Sequence, residues 1–232
     1  MNENTRIKNI YRKRNETGRE DKYSLKYRAG LYAYHDRVRV LRDLLDEADI
    51  LWRLEEYSLL EVGCGTGSWL PVWNEFGIEQ NNIYGIELIE DNIRIATKRE
   101  PAANFMIADC LFTPLKNECL DVVFQATVFS SLLQSESRKK MADEMMRVCR
   151  KGGYIISYDF FVNNPRNPDV RGLSKNELKE LFPGVSWIKI KRVTLVPPLA
   201  RRIVDISWSA AVIVDTIIPL LRTHMMAIGV KG

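Results

Sequence analysis

The chemistry-bearing feature of this sequence is a set of carboxylates placed around a run of glycines. Glu61-Val-Gly63-Cys64-Gly65-Thr66-Gly67 puts an acid two residues before the first of three glycines at alternate positions. Glycines let a backbone turn tightly and come close to a ligand, because no Cβ intervenes. Glu87 follows Gly63 by 24 positions, near the roughly 20-residue spacing at which an acid meets a ribose. A carboxylate can accept a hydrogen bond from each of two vicinal hydroxyls. The dinucleotide fingerprint Gly-x-Gly-x-x-Gly is not met, since the third glycine comes one residue early and Ser68 stands in its place. An acid at Glu61 is also ill placed beside a pyrophosphate. It suits a ligand that carries an ammonium group.

The elements that must position these groups follow from hydrophobic periodicity. The four residues Leu59–Val62 read as a short buried strand running into the glycine turn. Trp69, Leu70, Val72, Trp73 and Phe76 give the next helix its apolar face, with Pro71 near its start, where a missing N–H costs little. Ile83–Leu88 is the second strand, Asp91–Lys98 a helix ended by Pro101, Phe105–Ala108 the third strand and Asp121–Ala126 the fourth. Uninterrupted apolar runs of this kind suit parallel strands covered on both faces. Met141, Met145 and Val148 mark one helix face as core, and Gly152-Gly153 is the expected helix stop before a fifth strand, Tyr154–Asp159. Strand and helix alternate, which predicts an α/β, Rossmann-like, doubly wound parallel sheet.

Before this core, Ile7–Tyr34 is expected to form one or two short helices broken at Gly18 and Gly30, and Tyr34–Leu54 one amphipathic helix that could cap a ligand or only pack. After it, residues 160–172 read as a loop, Ser174 and Glu177 as a capping box stapled by Leu173 and Leu178, and Trp187–Val196 as a strand. The last stretch holds a helix ending near Leu221 and a strand from His224 to Val230. Asp205, Asp215 and Pro219 interrupt residues 203–221, so the segment does not read as a membrane span. It reads as a buried helix, with peripheral membrane contact as the alternative, Arg201, Arg202 and Arg222 standing at its ends.

Composition narrows the function classes. The chain has 232 residues and a formal charge of +4, of which residues 1–28 contribute +5 and the remainder −1. A near-neutral body argues against a dedicated nucleic-acid binder, and the basic lead segment reads as a solvated terminus. The four cysteines show no Cys-x-x-Cys spacing and the two histidines, His35 and His224, are far apart. That argues against a zinc site or a disulfide framework. Reduced thiols and a polar start without an apolar signal core point to the cytoplasm.

With these landmarks in place, the sequence resembles the class I S-adenosylmethionine-dependent methyltransferases. Glu61-x-Gly63-x-Gly65-x-Gly67 is similar to that family's first motif, Glu87 to its ribose-binding acid, and Asp109-Cys110-Leu111 to the acid loop beside the adenine. Gln125-Ala126 is similar to the wall after strand four, and Arg150-Lys151-Gly152-Gly153 to the turn before strand five, with Lys151 where proline is common. The resemblance covers residues 58–159. It implies strand order 3-2-1-4-5-7-6 with strand seven antiparallel, S-adenosylmethionine as cofactor and S-adenosylhomocysteine as product. The implied cofactor set is Glu61, Gly63, Cys64, Gly65, Thr66, Gly67, Glu87, Leu88, Asp109, Cys110, Leu111, Gln125 and Ala126, with no metal. The downstream motifs, among them Asp159, Asn163-Asn164-Pro165, Val170-Arg171-Gly172, Pro197-Pro198 and Leu221-Arg222-Thr223-His224, resemble a prokaryotic subgroup associated with surface-polysaccharide biosynthesis.

Residues 1–54 are then expected to form a helical lid segment and 55–232 the methyltransferase domain, with 160–232 on the acceptor side. A sulfonium is already a good leaving group, so positioning and water exclusion can supply much of the rate. A small-molecule or glycan hydroxyl would gain from a general base. Asp159 is the first candidate and His224 the second; either could instead be structural. His35 could be a base or line a lid. Asn163, Asn164 and Arg201 could contact acceptor hydroxyls or phosphates, or brace loops. Two other readings stand beside methyl transfer at oxygen: a nicotinamide-dependent oxidoreductase, and a non-catalytic cofactor-binding partner subunit. The basic lead segment keeps RNA open as an acceptor.

Overall fold

The structure, a computed structural model, describes residues 3–17, 24–163 and 167–232, without the side chains of 13–17. Seven strands form one sheet in the order β3-β2-β1-β4-β5-β7-β6. They are β1 (Leu59–Val62), β2 (Ile83–Glu87), β3 (Asn104–Ile107), β4 (Leu120–Ala126), β5 (Cys149–Phe160), β6 (Val185–Leu195) and β7 (Arg222–Lys231). β1 to β5 run parallel, and β7 lies antiparallel between β5 and β6. This is the expected order, and the helices cover both faces.

Neighbouring residues on the central strands feed opposite cores, which is why their apolar runs do not alternate. Leu59, Phe124 and Ile156 pack with Leu41, Leu44 and Leu45 of α2 (Arg28–Glu47) and with Leu70 and Trp73 of α3 (Leu70–Glu75). Leu60, Val123 and Ile155 face Met141 and Met145 of α5 (Ser135–Val148) and Leu178 of α6 (Lys175–Leu181). α4 (Glu90–Arg99) joins β2 to β3. A smaller cluster, in which Tyr32 meets Leu195, Ala200, Val204 and Ala211, seats α7 (Pro197–Ile206) and α8 (Trp208–Ile217) against the start of α2.

Several boundaries depart from the sequence expectation. α5 stops at Val148, not at Gly152-Gly153, because β5 begins at once with Cys149 pairing Leu120. The glycines lie instead inside an irregular stretch of β5, and a Cβ on Gly153 would come within 2.9 Å of the Asp121 carbonyl. Gly30 is no break: α2 runs through it. α2 ends at Glu47 and a 3-10 turn, Leu51–Glu56, completes the path to β1. The single helix expected before Leu221 is two, divided at Ser207, whose hydroxyl accepts the Ala210 N–H and caps α8. An N-terminal helix, α1 (Glu3–Thr17), is present; Gly18 lies outside the described residues. The Ser174 cap forms, but Glu177 turns away from it to Arg138 and Arg171.

Candidate active site

The carboxyl ends of β1, β2, β4 and β5 open into one cavity of about 1420 Å³. β1 delivers Glu61 to its floor, 1% exposed. The Glu61 Oε2 has no hydrogen-bond partner among the described residues. Burial, helped by the nearby Glu87 charge, holds its carboxyl well above the usual range. An orphaned buried acid of this kind is costly unless a ligand satisfies it.

The chain then turns at Gly63, with φ +65°, where a Cβ would meet Val128 at 2.5 Å. Gly65, with φ +53°, has nothing within 4 Å of a Cβ position; its free face opens onto the cavity. Glu87 holds this turn in place. Its carboxylate accepts the Gly65 N–H at 3.0 Å and the Ile89 N–H at 2.9 Å. Burial raises its pKa, against the opposing effect of those backbone donors. Asp109 accepts the Leu111 N–H at 2.9 Å and the Asn4 side-chain N–H at 2.6 Å. Cys110 beside it is a protonated thiol, pushed up to about 12 by burial and the neighbouring acids.

Of the expected cofactor set, Glu61, Gly63, Cys64, Gly65, Thr66, Glu87, Leu88, Asp109, Cys110 and Ala126 line the cavity. Gly67, Leu111 and Gln125 do not. Gly67 packs against Ala96 of α4, with 3.2 Å to a Cβ position. Leu111 contributes the backbone N–H that shapes the Asp109 loop. Gln125 is fully buried behind the wall, donating to Ser157 at 2.7 Å and accepting the Val128 N–H at 2.9 Å. Its amide orients the lining residues instead of lining.

The acceptor-side candidates separate more sharply. Asp159 is fully buried and turned away from the cavity: its carboxylate accepts N–H bonds from Ser130 at 3.1 Å and Phe160 at 2.8 Å. Burial raises its pKa to about 6, but the structure does not bring it to the site as a base. His224 does line the cavity. Its ring lies between Tyr158 and Phe160, and Nδ1 meets the Thr223 hydroxyl at 3.0 Å. Burial, and the Arg37 charge, lower its pKa to about 3, which makes it a neutral hydrogen-bonding group and a weak base. His35 is exposed and meets Trp208 edge-on. Asn163 and Arg201 line the cavity, Asn163 also accepting the Gly172 N–H. Asn164 lies outside the described residues.

Sequence reading missed Arg37, Asn4 and Thr194, all of which line the cavity. The Arg37 guanidinium stands 5.0 Å from the Trp69 ring and 5.4 Å from Tyr34, and its buried Nε has no hydrogen-bond partner among the described residues. Thr194 has φ +68°, a strained conformation for a β-branched residue. Asp36 accepts its N–H at 2.9 Å, and its hydroxyl meets the Tyr158 hydroxyl at 2.9 Å. No local pattern marks these residues; only the fold assembles them.

The residues fit a nucleoside cofactor with an amino-acid tail. Glu61 could take an ammonium group, Arg37 a carboxylate, Glu87 the ribose hydroxyls, and the Asp109 loop the base. The architecture is that of a nucleotide-cofactor α/β domain, with the acids in place of a pyrophosphate cradle. Residues 60–157 match the family profile described as a methyltransferase domain. A ubiquinone/menaquinone biosynthesis C-methyltransferase of Campylobacter jejuni is 24% identical over 157 residues, 61% of this chain and 65% of that protein. A malonyl-[acyl-carrier protein] O-methyltransferase of Serratia marcescens is 30% identical over 99 residues, 43% of this chain and 36% of that one. The chain thus spans less than two thirds of either relative. Among solved structures, geranyl diphosphate C-methyltransferase from Streptomyces coelicolor, in complex with S-adenosylhomocysteine, superposes with a TM-score of 0.57 at 13% identity, over 77% of this chain and 72% of that one. Residues 60–157 thus match a methyltransferase domain, and the seven-stranded Rossmann-like fold is that of the solved methyltransferase structure.

Proposed function

We propose that the protein moves a methyl group from S-adenosylmethionine to an oxygen of a small-molecule or glycan acceptor in the cytoplasm. The observation that carries this reading is one continuous cavity of about 1420 Å³ that joins Glu61, Glu87 and Asp109 to Thr194, Arg201 and His224. A pocket for one drug-sized ligand measures roughly 300–1,000 Å³, so there is room for cofactor and acceptor together.

When bound, the cofactor supplies an electrophilic methyl on a sulfonium. Glu61 and Arg37 hold the two charged ends of its amino-acid tail, and Glu87 accepts from the ribose. Residues 1–54 act as the lid over the domain formed by 55–232: Asn4 and Ile7 of α1, with Ala33 and Arg37 of α2, close over the cavity and exclude water. Residues 160–232 form the acceptor side, where Phe160 and Leu195, together with Tyr158 of β5, give an apolar wall. Asn163, Thr194, Thr223 and His224 offer hydrogen bonds for hydroxyls. With Asp159 turned inward and His224 a weak base, rate comes from orientation. This favours an acceptor oxygen that gives up its proton readily.

The likeness of residues 159–224 to the polysaccharide-associated subgroup supports a glycan. The relatives' names cover C-methyl, O-methyl and tRNA methyltransferases, so they do not choose the acceptor. Labelled S-adenosylmethionine incubated with nucleotide sugars, lipid-linked glycans and tRNA tests the reading. Label in a sugar is the expected result; label only in tRNA would overturn the acceptor class. Calorimetric binding of NAD without S-adenosylmethionine would overturn the cofactor, and turnover of none of these acceptors would favour a non-catalytic subunit.

A further inference from the structure

The hairpin of α7 and α8 leaves its apolar side uncovered. Ile206, Ile213, Ile217 and Leu220 are 86%, 57%, 72% and 78% exposed, with Val212 and Ile218 beside them at 44% and 42%. Ile213 and Ile217 stand one turn apart on α8, while Ile206 ends α7 and Leu220 lies in the 3-10 turn Pro219–Leu221 that follows α8. Contiguous aliphatic exposure of this kind marks a surface that something covers.

We infer that this hairpin docks on an anionic lipid bilayer and presents the mouth of the cavity to it. The residue chemistry selects the occupant. The exposed large apolar side chains of residues 206–220 are aliphatic, a face that acyl chains can cover. Arg201 and Arg202 stand exposed one turn before Ile206, and Arg28 reaches the same end, donating to the Asp205 carbonyl at 2.8 Å. On α7 and α8 the exposed acid is Asp205. Asp215 is buried and paired with Arg222 at 3.0 Å. Cations flanking an aliphatic face complement anionic headgroups above acyl chains. No helix among the described residues is long and apolar enough to cross a membrane, so the hairpin lies on the surface.

The same helix reaches inward: Pro197, Pro198, Ala200 and Arg201 of α7 line the cavity. A docked hairpin therefore sets the cavity mouth at the headgroup level. The acceptor it delivers is one whose polar part stands at the surface while an apolar chain stays in the bilayer. That delivery rests on the transfer reaction proposed above; the docking does not.

The test is co-sedimentation of the full chain with vesicles of phosphatidylcholine alone and of phosphatidylcholine mixed with phosphatidylglycerol, at low and at physiological salt. Wild-type protein is expected to sediment with the anionic vesicles and to be released by salt. The double change Ile213→Asp/Ile217→Asp should weaken that binding by about tenfold or more, and Arg202→Glu should weaken it only for anionic vesicles. Thermal unfolding reports the fold of each variant, and S-adenosylmethionine binding, measured in parallel, tests the cofactor site on its own. Absence of sedimentation, equal binding to neutral vesicles, or binding that survives the double change would overturn the inference. So would a dimer by light scattering that the double change converts to monomer without any vesicle binding, since the face would then belong to a second copy.

Discussion

The Glu87 carboxylate accepts the backbone N–H of Gly65 at 3.0 Å, so the acid ending β2 holds the glycine turn that ends β1. Both of its oxygens keep lone pairs for a ribose. Glu87→Ala is therefore expected to weaken S-adenosylmethionine binding by about 1–3 kcal/mol and to loosen the empty turn. Titration calorimetry measures the first effect, and hydrogen exchange at Gly65 the second. Unchanged affinity would remove Glu87 from the cofactor site.

Glu61 predicts a pH-dependent affinity. In the free protein, burial and Glu87 keep its carboxyl protonated above the usual range, whereas an ammonium partner favours the charged form. Cofactor binding should thus release a proton, and affinity should rise with pH across that raised pKa. Calorimetry in two buffers of different ionisation heat reads the proton directly. Glu61→Gln should abolish the release and weaken binding; identical proton counts in wild type and variant would refute the pairing.

Arg138 is fully buried and ties the loop after β5 to α5. Its guanidinium donates to the Leu132, Arg171 and Gly172 carbonyls and to both Glu177 oxygens. Arg138→Ala leaves these acceptors without a donor and is expected to cost about 3–5 kcal/mol. Denaturant unfolding measures the loss, and faster proteolysis within residues 160–172 would locate it. A cost under about 1 kcal/mol would show that water replaces the guanidinium.

His224 and Asp159 predict opposite pH effects on stability. His224 falls from 6.5 to about 3 through burial and Arg37. Its contribution is present above pH 6.5 and is lost as pH falls towards 3, up to an order of several kcal/mol at about 1.4 per unit. Asp159 rises from 3.8 to about 6 through burial; its contribution is present below pH 3.8 and lost as pH rises through 6. His224→Asn should flatten the acid limb of a stability profile. Asp159→Asn removes the titration but sets an amide NH2 against one of the two N–H donors, so it should abolish this pH dependence at a cost of about 1–3 kcal/mol. It should leave methyl transfer within about tenfold, where loss of a working base costs roughly 10²–10⁴.

The sequence by itself determined the alternation of strand and helix, and its family resemblance supplied the strand order and the residues that line the glycine end of the cavity. Period and glycine spacing are local records of backbone geometry, and Glu61, Gly63, Gly65 and Glu87 lie within 27 residues, so resemblance could carry them across. Only the tertiary structure decided which way side chains face. Asp159 sits where a base was expected, yet its carboxylate is drawn inward by the N–H of the next residue, Phe160, and by that of Ser130, 29 positions away, which no local pattern brings beside it. Gln125 likewise turns behind the wall that it was expected to form. Arg37 enters the cavity because α2 packs along it, and Asn4 reaches Asp109 across 105 positions. Contacts of that separation leave no period or spacing to read, because they are set by how packed layers meet.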